Sequence, residues 1–188
     1  KATFIHLKTR KGKGLDFAEK NPCNYHSLQK DLQPAQNDFS GAMAKSIEKI
    51  AAKNKDIVVI TPAMQYGLAL DEFFYRYPTR SMDVGICESH AFTMAAGMAK
   101  GGLRPIICTY STFLQRAYDQ LIHDICIQNL PVIICLDRAG FVGGDGKTHQ
   151  GLFDIPAMRT IPHLQIYTPK DCREGELMLQ FAIKQNCQ

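Results

Sequence analysis

Three short polar segments carry the side chains able to do chemistry. In DVGICESHAFTMAAGMAKGG, residues 83–102, Glu88 stands between a short β-patterned stretch and a helix-patterned stretch rich in Ala and Gly. A carboxyl there can move protons; in the first turn of a helix it can equally serve only the dipole or a cap. In TYSTFLQRAYDQLIHDI, residues 109–125, Ser111 or Thr112 is the expected N-cap of a helix whose apolar face is Leu114, Ala117, Leu121, Ile122 and Ile125. Phe113 and Arg116 then fall on its first turn, where Phe113 is either core or a stacking surface. Asp119 and His123 read as polar-face residues or as supports behind the site. In DRAGFVGGDGKTHQGLFD, residues 137–154, Arg138, Asp145 and His149 occupy a glycine-rich loop long enough to be functional or disordered. His149 can give or take a proton near pH 7.

These segments need a frame. From residue 39 onward, helix-patterned and strand-patterned stretches alternate. Helices are expected at 42–53, 68–77, 89–100, 112–128 and from 171, and strands at 56–61, 82–84, 105–109, 132–136 and 164–167. The run DIVVIT is continuous and β-branched, as in a strand buried on both faces. Alternation of this kind predicts an α/β fold in three layers, doubly wound around a mostly parallel sheet. Ligands of such sheets lie beyond the carboxyl ends of the strands, and all three polar segments follow directly on predicted strands. Residues 1–38 differ: ATFIHLKT alternates like one strand and the remainder is polar, with Gly12, Gly14, Pro22 and Pro34 as breakers. A lone strand is not stable, so residues 1–38 are expected to be the end of a preceding domain and a linker, and 39–188 the domain proper.

Composition narrows the classes. The 188 residues are 45% hydrophobic with a net charge of +4, which fits one globular domain. The basic stretch KTRKGK, residues 8–13, has no aromatic residue to stack on bases, so no nucleic acid is expected as a partner. No run of 18 apolar residues suggests a membrane span. The chain starts at Lys1 with no methionine or signal-peptide pattern and is expected to be a segment of something longer. The seven cysteines form no CxxC pair, and several sit in apolar runs, so they read as small core residues in a reducing cytoplasm.

With these residues in view, the glutamate segment resembles the motif of the transketolase-like thiamin-diphosphate enzymes. YSTFLQRAYDQ and DRAGFVGGDGKTHQG together look like the 1-deoxy-D-xylulose-5-phosphate synthase family, and residues 7–26 resemble that family's linker between first and second domains. The resemblance spans essentially the whole chain and implies the pyrimidine-binding domain of the thiamin-diphosphate-binding fold. It implies that Glu88 bonds N1′ of the aminopyrimidine, favouring the tautomer whose 4′-nitrogen activates the thiazolium carbon. It further implies that Phe113 stacks on that ring, with Arg116 and Tyr110 beside the cofactor. Tyr110, Arg138, Asp145, His149 and His26 would line the substrate site, where cations suit a carboxylate and a phosphate, and His149 joins Glu88 as a catalytic residue.

The implied reaction condenses pyruvate with D-glyceraldehyde 3-phosphate, with loss of carbon dioxide, in a cytoplasmic homodimer. The resemblance implies that magnesium and the diphosphate are held by a first domain, which with a C-terminal domain is expected to lie outside this sequence. The GGDG run here lacks the distal Asn of the family's magnesium motif, so no metal is assigned to Asp145. By itself the chain is expected neither to hold the cofactor tightly nor to turn over substrate. The glutamate motif alone also fits a transketolase or a 2-oxoacid dehydrogenase E1 component, and a non-catalytic binding or dimerisation module is the remaining alternative. Cys87 and Ser89 flank the glutamate where the family usually has Ala and Gln, and Lys147 replaces a common Pro.

Overall fold

A computed structural model describes residues 2–22, 25, 39–143 and 146–185. The chain divides into two units, Lys1–Gln36 and Asn37–Gln188. In the first, helix α1 (Asp16–Lys20) follows a turn at residues 11–14, and Arg10 pairs with Glu19 at 2.9 Å. Residues 2–9 form no strand, leaving Phe4, Ile5 and Leu7 exposed. The alternating pattern there is real, but no second strand pairs with it.

The second unit runs α2 (Phe39–Ala51), β1 (Ile57–Thr61), α3 (Asp71–Arg76), β2 (Ser81–Asp83), α4 (Glu88–Lys100) and β3 (Arg104–Tyr110). After a helical segment at residues 111–126 come β4 (Ile133–Asp137), α6 (Asp154–Met158) and α7 (Cys172–Lys184). The strands pair in the order β2-β1-β3-β4, every pair parallel. All five side chains of β1 are buried, because apolar layers cover both faces of the sheet. One layer sets α4 and the 111–126 segment over Ile60 and Ile107, with Phe92 at its centre. The other sets α2, α3 and α7 over Ile57, Val59 and Ile106, with Phe73 at its centre. The result is the three-layer, doubly wound α/β architecture that the alternation implies.

Two elements differ from the sequence pattern. Residues 164–167 form no strand among the described residues. Leu164 packs onto the core, but a cavity of about 550 Å³ separates β4 from residues 163–169, so the backbone does not join the ladder. Residues 112–128 are not one α-helix either. Ser111–Ala117 is a 3₁₀ helix, Tyr118–Gln120 a single α turn (α5), and Leu121–Cys126 a π-helix. Neither Ser111 nor Thr112 caps this segment: the Ser111 hydroxyl donates to Asp154 at 2.7 Å, and that of Thr112 to the Thr148 carbonyl at 3.4 Å. The closing helix α7 is capped by Asp171, whose side chain accepts from Glu174 N at 2.8 Å.

Of the cysteines, Cys108 and Cys126 are core residues, Cys135 and Cys172 are half-buried, and Cys87 is exposed at the start of α4. Cys87 departs from the core reading because it lies in the loop at the sheet's carboxyl edge. Cys23 and Cys187 lie outside the described residues.

Phe92 is fully buried at the centre of one layer, where deletion of a ring leaves a cavity that close-packed neighbours cannot fill. Phe92→Ala is expected to cost about 3–5 kcal/mol, read as a lower denaturation midpoint at unchanged slope in urea.

Candidate active site

The carboxyl ends of β1, β2, β3 and β4 gather the candidate residues. Asp83, the last residue of β2, organises two of the loops there: its Oδ1 accepts from Ala63 N and Gly85 N, both at 2.9 Å. Ala63 and Gly85 both take left-handed φ, 61° and 70°, so the carboxylate holds two turns that would otherwise be strained or loose. The second turn delivers Glu88 as the first residue of α4, only 2% exposed. Its Oε2 accepts from Arg116 Nε at 2.8 Å. Ser89 Oγ donates to the Arg116 carbonyl at 2.7 Å, tying the first turn of α4 to the end of the 3₁₀ helix. Among the described residues nothing bonds Glu88 Oε1.

A row of rings and cations lies along the same edge. Arg138 Cζ sits 4.0 Å over the centre of the Tyr110 ring, Tyr110 stacks on Phe113 at 6.0 Å, and His149 meets Phe113 edge-on at 5.4 Å. The 3₁₀ winding explains part of this. With three residues per turn, side chains at i and i+3 eclipse, so Phe113 and Arg116 share one side while Leu114 and Ala117, both buried, share the core side. Thr148 Oγ1 lies 2.7 Å from His149 Nδ1, which leaves Nε2 as the nitrogen to meet a ligand.

The glycine-rich loop is closed by backbone pairing. Gly140 N donates to Gly151 O at 2.8 Å and Gly151 N to Gly140 O at 2.9 Å. A Cβ on Gly151 would stand 2.4 Å from Ser111 Oγ and 2.7 Å from Arg138 O, so only glycine fits. Gln150 exchanges bonds with Val142 N and O at 2.7 and 2.9 Å and donates to Gly146 O at 2.7 Å.

Glu88, Arg116, Tyr110, Phe113, Arg138 and His149 are thus brought to one edge. Asp145 and His26 lie outside the described residues. Asp119 and His123 form an exposed pair of their own, 2.9 Å apart and one turn apart, as polar-face residues do. Among the described residues no cluster of three or more His, Cys, Asp or Glu could hold a metal ion. Sequence reasoning missed Asp83, Ser89 as a tether and Gln150, which act through backbone groups, and Thr148, which acts on the ring of the adjacent His149. Chemically, the edge offers one buried carboxylate with an open oxygen, an aromatic platform, and two cationic or protonatable groups suited to anions.

Residues 35–187 match the family described as transketolase, pyrimidine binding domain. A 1-deoxy-D-xylulose-5-phosphate synthase of Clostridium acetobutylicum is 48% identical over 97% of this chain and 31% of its own length. One from a Synechocystis species is 48% identical over 94% of this chain and 29% of its own. The chain therefore spans about a third of the length of these curated relatives. Among solved structures, a split-gene transketolase described as an inactive β4 tetramer superposes with a TM-score of 0.71 at 25% identity, over 81% of this chain and 50% of that one. A transketolase from Campylobacter jejuni gives 0.69 at 16% identity, covering 92% of this chain and 28% of that one, which speaks for the fold alone.

Tyr110 is held in place from behind by Gly67, where an added Cβ would stand 1.9 Å from the Tyr110 hydroxyl oxygen. Gly67→Ala is expected to destabilise by about 1–3 kcal/mol. Most of that loss should disappear in a Tyr110→Phe background, which lacks the clashing oxygen. Urea denaturation of the two single variants and the double variant measures this coupling.

Proposed function

This chain belongs to the family of transketolase pyrimidine-binding domains, and from that premise we propose that it is the aminopyrimidine half of a thiamin-diphosphate site in a 1-deoxy-D-xylulose-5-phosphate synthase. Residues 39–188 would be the domain and 1–38 the tail and linker that precede it. The observation that carries the reading is Glu88, a carboxylate withdrawn from water with one oxygen fixed by Arg116 and the other open. An open buried acceptor is costly to fold and fits a ligand that brings a donor. The residues present therefore fit the aminopyrimidine: Glu88 Oε1 would hold a proton against its ring nitrogen, and Phe113 would stack on its face. When bound, thiamin diphosphate supplies the nucleophilic carbon that attacks a ketone substrate. Its diphosphate and magnesium would be held by another part of the protein.

On this reading Arg116 keeps the Glu88 carboxyl in one orientation, so the proton shared at Oε1 stays directed at a single atom. Arg138 and His149 supply donors for anionic groups, the carboxylate of pyruvate and the phosphate of D-glyceraldehyde 3-phosphate. Tyr110 braces Arg138 through its ring face. Asp145 and His26 remain proposed substrate residues by resemblance. A homodimer in the cytoplasm belongs to the same proposal, supported by the relatives' family. No helix of the described residues is long and apolar enough to cross a membrane.

In the protein that contains this chain, Glu88→Ala is expected to lower turnover about 10²- to 10⁴-fold at saturating cofactor and magnesium, with circular dichroism unchanged. Carbon dioxide released from pyruvate in the presence of D-glyceraldehyde 3-phosphate is the assay; transfer from a ketose phosphate without that release would instead make the protein a transketolase.

Arg138→Ala tests the anion-binding role separately. It should raise the Michaelis constant for the phosphorylated acceptor while leaving turnover at saturation within a few-fold. An equal fall in kcat and kcat/KM, with KM unchanged, would place Arg138 in the chemical step instead.

A further inference from the structure

The face of the sheet covered by α2 and α7 carries two thiols that the candidate active site does not use. Cys108 of β3 and Cys135 of β4 are register partners in the parallel ladder. Register partners on neighbouring strands lie ~4.8 Å apart, inside the ~4.4–6.8 Å separation of α-carbons that a disulfide tolerates. Both side chains pack into the same apolar cluster; Cys108 is 4% exposed and Cys135 half-buried. Both also line a cavity of about 160 Å³ between the sheet and the two helices, walled by Met43, Met178 and Leu179. The neighbouring Cys135 thiol, together with burial, pushes the Cys108 thiol well above its ordinary range.

We propose that Cys108 and Cys135 are an oxidisable dithiol, with Cys135 the attacking sulfur, Cys108 the resolving one, and a small hydroperoxide the oxidant. Cavity size favours that class. Water occupies ~30 Å³, so hydrogen peroxide fits where a bulky peptide disulfide does not. The Cys135 sulfur, the less buried of the two, attacks one peroxide oxygen and the O–O bond breaks. Hydroxide leaves and takes up the thiol's proton as water, and Cys135 becomes a sulfenic acid. The Cys108 sulfur then attacks the Cys135 sulfur, the S–O bond breaks, and the departing hydroxyl takes the Cys108 proton as a second water. Two thiols lose two electrons and two protons, and one peroxide becomes two waters. Two residues further along, the same ladder ends in the pair Tyr110 and Asp137, followed by Arg138. The disulfide therefore ties together the strand ends that carry two residues of the candidate site.

The test is native titration of the protein with hydrogen peroxide, followed by intact mass and non-reducing peptide mapping. The expected result is loss of two hydrogens and a Cys108–Cys135 link, reversed by dithiothreitol, with fragmentation separating Cys135 from Cys126. Cys108→Ser should stop the reaction at a Cys135 sulfenic acid trapped by dimedone, and Cys135→Ser should leave Cys108 reduced at the same dose. The proposal is overturned if both thiols stay reduced at a dose that oxidises exposed Cys87, or if the link joins other cysteines. Mass is the readout, so the outcome is independent of whether the activity proposed above is right.

Discussion

A carboxylate taken out of water must be matched, and the pairing of Glu88 with Arg116 is the interaction around which this sheet edge is arranged. Burying a lone carboxylate costs several kcal/mol even after relaxation, so Glu88 at 2% exposure needs a donor. Arg116 supplies it at 2.8 Å while its own side chain remains 61% exposed. The asymmetry matters: the cation gives up little hydration, and the anion gains a partner at one oxygen only. Everything that fixes Arg116 therefore also fixes Glu88. The Ser89 hydroxyl holds the Arg116 carbonyl, and the 3₁₀ helix sets the direction in which the guanidinium leaves the backbone.

That dependence explains why so much of the frame was legible and the pairing was not. The β-branched run at Ile57–Thr61 and the Ala-rich stretch after Glu88 announce a buried parallel strand and a close-packed helix, and both form. Glu88, Phe113, Arg138 and His149 could be placed at one edge from chain order alone, because loops after parallel strands all emerge on the same side. The apolar positions of residues 111–126 likewise identify a helical segment. They do not distinguish three, 3.6 or more than four residues per turn over such a short run. Leu114 to Ala117 is a step of three and Leu121 to Ile125 a step of four, so the winding changes midway. The alignment of Phe113 with Arg116 follows from that winding and not from hydropathy.

Other features were illegible because they rest on long-range or backbone partners. Ser111 has the composition of a helix cap, yet its hydroxyl is drawn to Asp154, 43 positions away. The pattern LQIY looks like a strand, but a strand exists only where a neighbour's backbone is within reach, and here a cavity intervenes. Ser89 stands where the resembled family usually has Gln, and hydropathy gives it no partner. The structure shows it as a tether between two elements that must stay in register for Arg116 to meet the carboxylate.

Arg138 shows the same logic in the backbone. It takes a left-handed φ of 57°, a conformation that costs a non-glycine residue roughly 1–2 kcal/mol. Such strain persists only where surrounding contacts determine it more strongly than the local preference opposes it. Three contacts do so. Asp137 Oδ1 accepts from the Arg138 N–H at 2.7 Å, while the other Asp137 oxygen is held by Ser40 from α2. The guanidinium rests on Tyr110, and the Arg138 carbonyl lies against a position where only Gly151 fits. With this left-handed turn at Arg138, its guanidinium lies over Tyr110 at the end of β3. The strain is thus what aims a cation of the β4 loop at the aromatic row of the β3 loop. A single site at this edge consequently depends on one strained residue, one buried carboxylate and one change of helical winding acting together.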